Sequence, residues 1–582
     1  MTQKQPERKI KTKDSIIILI SIIGILACIA VLFPQVRRMI MDFAEQIVNK
    51  EASTYDSWLK VLVSFAMGGI CFILFIDYCT LTNSGKALVR KVTQDIKDCL
   101  SEIDYRSFIK PVLLLSGIYL LGMLTIIRAN FLYLDDMGWA ASGHREWFNW
   151  SRYMIIFLSY FIQPEIRMTD ISPIPQLLAA LSLSISSVLL IYIIGNKKIT
   201  VLRLIASIPL GLSPFFLEFL SYKFIAVYGV LSILLCIVPF LFITRRKAFI
   251  FCSIISLLIM CMIYQASAGI YLLIVTILCF QDWNSRKKTN KEILSFIGSA
   301  LFSFCLALLI FKLFLMKSAD YYASSAMHPL SQTISGVLNN IKEYSVIVNH
   351  DLGLIWKTCI LIVLVLFIIK SISQSEQKKL ISFFISVLVI GLLFILSYGI
   401  YLLLEIPLYA PRALVGFGVF LAIMCIYIVS DYKKIAAIVV IALSWCLFVF
   451  AFSCGNALAD QARYSEFRIG LLLRDLSHLY PDADNEDLKI QLKNSIDFTP
   501  SIKNISKQNP VIEKLVPKRF GVDSVWDMFY YLEYFNFVHF RITNLTFVTS
   551  IDFDTLNLPV VHDSYYHTIK SDGNRILVVL KH

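Results

Sequence analysis

The sequence has little charge, few histidines and none of the glycine-rich loops that bind nucleotides. Of its 582 residues, 16% are charged and 57% are hydrophobic, which lies outside the usual balance of a soluble protein. Neither a Walker-type loop nor a dinucleotide fingerprint is present. The eight histidines lie apart without the spacing of metal ligands. No Ser-His-Asp or Cys-His arrangement can be derived from spacing, because such groups meet only in the fold.

Cysteine is absent after Cys454, although the chain has 13 cysteines in all. An exported C-terminal segment without cysteine needs no disulfide, which fits a protein of the bacterial envelope. The net charge of +13 could indicate a nucleic-acid partner, but the basic residues cluster in short turns between apolar runs. That distribution is the positive-inside pattern of membrane proteins and predicts no nucleic-acid binding.

Apolar runs of about 18 to 25 residues recur from Ser15 to Phe452, long enough to cross a hydrocarbon core of about 30 Å as helices. The sequence therefore predicts an α-helical polytopic membrane protein with about 13 transmembrane helices. The first run follows a basic leader but lacks a small-residue cleavage site, so we interpret it as a retained signal anchor. The predicted spans are 15–33, 61–78, 111–128, 174–195, 201–219, 226–243, 248–264, 268–281, 293–316, 352–370, 380–404, 413–430 and 435–452.

Alternate turns between these spans are basic, and they share the side of the N-terminus, which we place in the cytoplasm. An odd number of crossings leaves the C-terminus outside. The predicted units are an N-terminal span pair with a cytoplasmic loop, a membrane core and a small extracytoplasmic α/β domain; they cover residues 1–110, 111–452 and 455–582. The core has two long outward loops, at 131–170 and 317–351. Residues 34–60 are typical of an interfacial amphipathic helix.

The C-terminal domain is predicted from its local patterns. A helix is expected at 457–479, followed by the alternating strand "LKIQLKNSI" and the aromatic helix "VWDMFYYLEYF". The closing segment "YYHTIKSDGNRILVVLK" places an Asp572-Gly573 turn between alternating apolar residues, which indicates a β-hairpin.

The stretch "FLYLDDMGWAASGHREW" places two adjacent carboxylates, Asp135 and Asp136, directly after an apolar span. Carboxylates at the end of a span are often simply solvated, so position alone does not separate that interpretation from a functional one. The residues that follow are aromatic or basic, and they suit a sugar-phosphate site, because aromatic faces stack on sugars and arginine pairs with phosphate. These residues are Trp139, His144, Arg145, Trp147, Trp150 and Arg152.

The next segment, "YMIIFLSYFIQPEI", is apolar but too short to span a membrane. It is an interfacial or re-entrant helix that holds the loop, or a simple peripheral helix.

Other polar residues lie at predicted outer ends of spans. Each alone is more typical of an interfacial anchor, but together they form an outward rim around the acidic pair, and Arg412 is the best candidate for contact with a lipid phosphate. Glu218 lies beside this rim, and the rim residues that we predict to bind the phosphate or the sugar of the donor are Tyr222, Lys223, Tyr264, Gln265 and Arg412.

These segments resemble the serotype-converting O-antigen glucosyltransferases of the Gtr type II domain family. The similarity runs from about Pro111 to the C-terminus, and Ser151 stands where we expect a glycine before the loop arginine. The segments that carry it are "YLDDMGWAASGHREWFNWSRYM", "DISPIPQLLA", "LSYKF", "IYQASAGIYL", "APRALVGFG", "NPVIEKLVP" and "LPVVHDSYYHTIKSDGNRILVVLK".

The resemblance implies a GT-C-type fold and an inverting glycosyltransferase in the bacterial cytoplasmic membrane. Such an enzyme moves a hexose, typically glucose, from undecaprenyl phosphate to a surface polysaccharide such as O-antigen, on the extracytoplasmic side. It also implies partners: membrane lipids, a separate polyprenyl-phosphate glucosyltransferase and a flippase. Carried over by residue, Asp135 and Asp136 match the acidic pair, Trp147 the loop tryptophan and Arg152 the loop arginine.

The corresponding mechanism uses one aspartate as general base on the acceptor hydroxyl, while the other positions the acceptor or stabilises the oxocarbenium-like centre. Arg145, Arg152 and Arg412 are candidates to neutralise the departing phosphate, so we expect no obligatory metal or other cofactor. The main alternative is a transporter or flippase of lipid-linked sugars with the acidic pair as an ion site, although such sites lie near the bilayer midplane. A non-catalytic membrane assembly factor is a third.

Overall fold

The computed structural model describes residues 82–316, 326–431, 434–481, 489–522, 531, 534 and 552–581. The predicted spans 15–33 and 61–78 and the predicted amphipathic helix at 34–60 lie outside these residues, as does nearly all of the predicted aromatic helix "VWDMFYYLEYF". Helices dominate what is described, and strands occur only near the C-terminus of these residues.

The α-helices are numbered in chain order. They are α1 (Asn83–Ser101), α2 (Arg106–Ala129), α3 (Asp136–Ser142), α4 (Tyr153–Ile162), α5 (Ile174–Ile194), α6 (Val201–Ala206), α7 (Pro209–Leu212), α8 (Pro214–Ser221), α9 (Ala226–Ile237), α10 (Arg246–Cys261), α11 (Ala268–Asn284), α12 (Asn290–Ile310), α13 (Thr333–Asp351), α14 (Leu354–Ser373), α15 (Lys379–Leu396), α16 (Val415–Ile428), α17 (Lys434–Leu479), α18 (Pro500–Ser506) and α19 (Ile512–Leu515).

Eight helical segments among the described residues are long and apolar enough to cross a membrane, which makes this a polytopic membrane protein. A ninth is possible if α6–α7 and α8, which meet at a bend of 64°, form one broken span. The helices at the predicted spans 226–243 and 248–264 are shorter; Ala226–Phe242 is apolar, and α10 has 16 residues. The predicted total of 13 is therefore not confirmed.

Small residues and hydroxyl groups pack α2 against its neighbours, and α2 leads directly into residues 130–137, which carry Asp135 and Asp136 and are called the acidic loop below. The Tyr119 hydroxyl lies 2.7 Å from that of Ser187 on α5, and the hydroxyls of Ser116 and Ser184 are 2.8 Å apart. On α17, Gly455 lies so close that an added Cβ would be 2.4 Å from the backbone nitrogen of Ile126. Small residues allow membrane helices to approach closely, and here they fix the end of α2.

Helix α17 continues unbroken from its membrane-length apolar part through residue 479, so the predicted helix at 457–479 is its extension and not a separate element. Four strands follow: β1 (Lys489–Lys493), β2 (Val560–Asp563), β3 (His567–Ser571) and β4 (Arg575–Leu580). They form one sheet in the order β1-β4-β3-β2, in which β1 pairs parallel with β4.

The predicted C-terminal hairpin is confirmed by β3 and β4, which pair antiparallel. Gly573 has φ +107° in the turn between them, a conformation that favours glycine. The sheet contributes Ile569 to a core that also contains Leu472 of α17 and Leu132 and Met137 of the acidic loop. The C-terminal region therefore supports that loop directly.

Candidate functional site

The loop after α2 turns sharply because two of its residues have left-handed backbone conformations. Asn130 ends α2 with φ 48°, and Leu134 has φ 42°. Asparagine tolerates this region better than most residues, whereas leucine is strained there. Helix α3 then begins at Asp136, with Asp135 as its N-terminal flanking residue. The two carboxylates therefore occupy different positions relative to α3, one before its first residue and one on it.

Asp136 is completely buried and is held by the backbone. Its carboxylate accepts N–H bonds from Tyr133 and Lys223, at 2.9 and 2.8 Å, and from Phe224 at 3.3 Å. Burial raises the pKa of this carboxyl to about 8, although the N–H donors of Lys223, Tyr133 and Phe224 oppose the rise. Asp136 thus ties the acidic loop to the segment after α8.

Asp135 has an exposed side chain, and no hydrogen bond of its carboxylate is found in the described part of the chain. Protein nevertheless surrounds it closely, and this loss of hydration raises the pKa of the Asp135 carboxyl above its ordinary value. The positive charges of Arg412 and Arg152 partly offset that rise. Asp135 is therefore the carboxylate of the pair that an incoming molecule can reach.

Arg412 is fixed by a carboxylate from the bent helix pair. Its guanidinium forms an ion pair with Glu218, whose side chain is 2% exposed. Its backbone N–H donates to the other carboxylate oxygen of Glu218 at 2.7 Å, and its carbonyl accepts from the Tyr264 hydroxyl at 3.0 Å. Charge-assisted bonds of this kind hold a side chain in one orientation.

Arg152 lies over Tyr264, with its guanidinium carbon 5.3 Å from the ring centroid. Its Nε is buried and has no hydrogen-bond partner within the described residues. Ser151, directly before it, has φ 57°, which explains why glycine suits this position. Arg152 and Arg412 therefore both lie close enough to Asp135 and Tyr264 for their positive charges to act on these two side chains.

Aromatic side chains form the floor beside these charges. Trp147 is 2% exposed and packs 5.2 Å from Trp139 and 6.3 Å from Tyr228, measured between ring centroids. Tyr222, also buried, lies 6.5 Å from Trp139. Trp139 keeps partial exposure. Trp147 is thus enclosed rather than presented as an open stacking face, although its indole Nε1 has no hydrogen-bond partner in the described residues.

Lys223 is a predicted phosphate-binding residue, and its charge is already paired. Its side chain is 4% exposed, and its Nζ donates to Asn130 Oδ1 and Asp170 Oδ2, both at 2.6 Å. Its backbone N–H holds Asp136. These contacts join three parts of the loop region.

Arg145, another predicted phosphate contact, binds within its own loop. It donates to Ser159 Oγ at 2.9 Å and to the carbonyl of Gln163 at 2.8 Å, and it lies 4.0 Å from the centre of the Tyr160 ring. Gln265 is half-buried and begins the short 3-10 turn after Tyr264.

Sequence reasoning missed the partners that fix these residues. Glu218 lies at the predicted outer end of a span, but its pairing with Arg412 joins positions 194 residues apart, which no local pattern indicates. Asp170, the partner of Lys223, had no role assigned. A lone carboxylate inside the apolar stretch "PFFLEFLS" was the available signal, because such groups are seldom buried without a partner.

Comparison with known proteins identifies the family. The model of the glucosyl transferase GtrII family matches residues 124–424, a range that includes all the predicted site residues. The chain belongs to the glucosyl transferase GtrII family. The family resemblance in the sequence is thereby confirmed.

An uncharacterized 55.3 kDa protein in the gtrB 5′ region of Salmonella phage P22 is 24% identical over 436 residues, which cover 72% of this chain and 88% of the phage protein. No solved structure matches. This GtrII chain is therefore a glucosyltransferase by family and a polytopic membrane protein by its helices.

Proposed function

We propose that this GtrII protein is an inverting glycosyltransferase that moves a glucosyl group from undecaprenyl phosphate to a surface polysaccharide such as O-antigen. Family membership supports the transfer of a glucosyl group. A membrane-embedded donor suits a chain with eight membrane-length helices. The observation that carries the proposal is the contrast between the two aspartates: Asp136 is saturated by backbone N–H groups, whereas Asp135 is accessible beside two arginines.

Asp135 is the general base in this mechanism. Its carboxylate takes the proton of the acceptor hydroxyl, whose oxygen attacks the anomeric carbon of the glucosyl group. The bond between that carbon and the phosphate oxygen breaks, and its electron pair leaves with the lipid phosphate. A raised pKa makes a carboxylate a stronger base for this step, and attack opposite the leaving group inverts the anomeric configuration.

Asp136 acts through the loop and does not touch substrate. Its three N–H bonds fix the start of α3 and thereby the direction of the Asp135 side chain. A site held within a fraction of an ångström by such supporting contacts reacts faster, because less reorganisation is needed.

Arg152 and Arg412 receive the negative charge that develops on the lipid phosphate. The unpartnered, buried Nε of Arg152 is a donor that a phosphate oxygen can satisfy. The pairing of Arg412 with Glu218 fixes its guanidinium beside the same region. Basic side chains can stabilise a leaving phosphate without a metal, so the reaction needs no cofactor in this proposal.

The proposed setting is the bacterial cytoplasmic membrane, with the N-terminus inside and the C-terminal domain outside. A separate polyprenyl-phosphate glucosyltransferase makes the donor, and a flippase delivers it to the outer face. The site then meets lipid-linked donor and polysaccharide acceptor on the same side of the membrane.

The test uses purified protein in liposomes containing undecaprenyl-phosphate glucose and an O-antigen acceptor. Nuclear magnetic resonance of the product reports the anomeric configuration. We expect transfer with inversion in the wild type and a loss of at least 100-fold in the rate of Asp135→Asn, since general bases contribute about 10² to 10⁴. Retention of configuration, or full activity of a folded Asp135→Asn variant, would overturn the proposal. Asp104→Asn, at an exposed position just before the opposite end of α2, is the matched control.

A further inference from the structure

We propose that Asp475, His562 and His567 form a binding site for a divalent transition-metal ion, with Zn²⁺ as the representative ion. The site joins the C-terminal end of α17 to the β2–β3 hairpin. It is independent of the glucosyl transfer proposed above.

The three side chains converge on one oxygen atom. Nε2 of His562 and Nε2 of His567 each lie 3.1 Å from Oδ2 of Asp475, and the three potential ligand atoms all lie within 4.8 Å of one another. In a tetrahedral site, ligands about 2.0 to 2.2 Å from a zinc ion lie about 3.3 to 3.6 Å from each other, so the two 3.1 Å contacts need to lengthen only slightly. The contacts to Asp475 therefore have the spacing of ligands around one ion.

His562 supplies the second observation. Its Nε2 is buried and has no hydrogen-bond partner in the described residues, although it lies beside Asp475. His567, in contrast, makes a hydrogen-bonded contact to the same oxygen. Oδ2 of Asp475 thus forms a hydrogen bond with His567 but not with His562. An ion placed between the carboxylate and the two imidazoles would be bound by the Nε2 lone pairs of both histidines.

The surroundings favour this ligand set. Arg474 donates to Oδ1 of Asp475 at 3.2 Å, which leaves Oδ2 free to face the imidazoles and orients the carboxylate from behind. Such outer contacts commonly hold metal ligands in place. His567 is 1% exposed, so its imidazole is held by the surrounding protein at a fixed position beside Asp475.

Ligand chemistry selects the class of ion. Two imidazoles and one carboxylate suit Zn²⁺, Co²⁺, Ni²⁺ or Fe²⁺, whereas Mg²⁺ and Ca²⁺ prefer oxygen ligands. Three protein ligands leave a coordination position for water. We infer a bracing role, because the same hairpin and helix contribute Ile569 and Leu472 to the core that contains Met137 of the acidic loop.

The experiment measures metal binding by full-length protein in detergent. After chelator treatment and dialysis, Zn²⁺ is titrated in competition with a fluorescent chelator, and bound metal is counted by mass spectrometry. The test variant is His562→Gln, since the His562 side chain is 33% exposed and its replacement is tolerated more easily than that of His567. The matched control is His478→Gln, an exposed histidine on the same helix as Asp475.

We expect the wild type and His478→Gln to bind one more Zn²⁺ per chain than His562→Gln, whose affinity at this site falls at least about tenfold. Zn²⁺ should raise the melting temperature of the first two proteins and not of the third. Equal zinc content and equal thermal response in all three would overturn the proposal.

A second measurement applies if His562→Gln fails to fold. Co²⁺ bound to the wild type reports its ligands by absorption, and coordination by nitrogen and oxygen lacks the thiolate charge-transfer bands that cysteine sites give. We expect a Co²⁺ spectrum of the nitrogen and oxygen type that disappears in Asp475→Asn. A spectrum dominated by thiolate bands, or no Co²⁺ binding at all, would contradict the site.

Discussion

Arg412 and Glu218 form a two-point connection in which the guanidinium and the backbone N–H of the arginine bind different oxygens of one carboxylate. The pair joins the bent helix segment α8 to the start of the helical stretch that leads into α16. Because Glu218 is buried while Arg412 keeps some exposure, the two residues lose unequal amounts of hydration. The connection therefore holds Arg412 in place, and most of the lost hydration falls on the Glu218 carboxylate.

Glu218→Gln should destabilise the protein, because it leaves the Arg412 guanidinium without its counter-charge. Breaking a buried pair by removing one partner costs about 3 to 5 kcal/mol, and the partial exposure of Arg412 places the expected loss near the lower figure. Thermal unfolding in detergent measures it. Glu466→Gln, at an exposed position of α17, should leave the melting temperature unchanged, and an equal drop in both variants would refute the role of the pair.

The pH dependence of transfer should report the Asp135 carboxyl. As general base it must be deprotonated, so the rate falls as pH drops through its pKa, which enclosure raises above the ordinary aspartate value. Arg152 opposes that rise. Arg152→Gln should therefore move the acid limb of the profile of kcat against pH to higher pH. A shift to lower pH, or none in an active variant, would argue against Asp135 as the base.

Asp136→Asn should act on stability and its pH dependence. Both oxygens of the carboxyl group can accept N–H bonds, whether it is protonated or ionised, whereas the amide has only one acceptor oxygen, so N–H groups lose acceptors at a cost of about 1 to 3 kcal/mol. The folded pKa of about 8 exceeds the unfolded value of about 4. The contribution of the Asp136 carboxyl to the free energy of unfolding is therefore greatest below pH 4 and declines as pH rises toward 8.

Melting curves between pH 4 and pH 9 separate the two effects of Asp136→Asn. We expect a lower melting temperature at pH 5 together with a weaker decline toward pH 8 than in the wild type. A variant whose decline matches that of the wild type would show that Asp136 does not carry this titration.

The contrast between these aspartates also shows the limit of sequence reasoning. Asp135 and Asp136 are adjacent and identical in type, so no periodic pattern separates them. The difference arises because α3 begins at Asp136 and because the backbone of Lys223 and Phe224 arrives from 87 and 88 residues further along the chain. The pair itself could be recognised from its aromatic and basic surroundings, but the partition of roles depends on contacts that only the fold creates.

Local signals predicted local elements well. The β3–β4 hairpin follows from a two-residue turn between alternating strands, and apolar runs predicted helices along the membrane core. The boundary near residue 455 was harder, since composition becomes polar there while the helix continues through Gly455. The group Asp475, His562 and His567 had no signal, because its members come from a helix and two strands.

Removing Asp170 should cost more stability than removing Lys223, its partner in the ion pair. Asp170→Asn leaves the ammonium of Lys223, which is 4% exposed, without its carboxylate, whereas Lys223→Met leaves Asp170, 32% exposed, in contact with water. We expect a loss of about 2 to 3 kcal/mol for Asp170→Asn and a smaller one for Lys223→Met. A double-mutant cycle measured by thermal unfolding gives the coupling. Equal losses with no coupling would contradict the ion pair.

Donor affinity provides the complementary measurement for Lys223. The ammonium of Lys223 is already bound to Asn130 and Asp170. Lys223→Met should therefore change the KM for the lipid-linked donor by less than about threefold, whereas a tenfold change would correspond to about 1.4 kcal/mol. Arg152→Gln should raise it by tenfold or more. The opposite ranking would restore Lys223 as a phosphate ligand.

The approach of α17 to α2 can be tested at two glycines of α17. An alanine at Gly455 would place its Cβ 2.4 Å from the nitrogen of Ile126, whereas nothing lies within 4 Å of a Cβ at Gly470. Overpacking costs about 1 to 3 kcal/mol, and replacing a helical glycine by alanine otherwise gains up to about 1 kcal/mol. Gly455→Ala should lower the melting temperature and Gly470→Ala should raise it slightly.

Because α2 ends at the acidic loop, Gly455→Ala should also lower kcat through displacement of Asp135, while Gly470→Ala leaves kcat unchanged. A stable and fully active Gly455→Ala would show that the helices do not need this close approach to hold the loop.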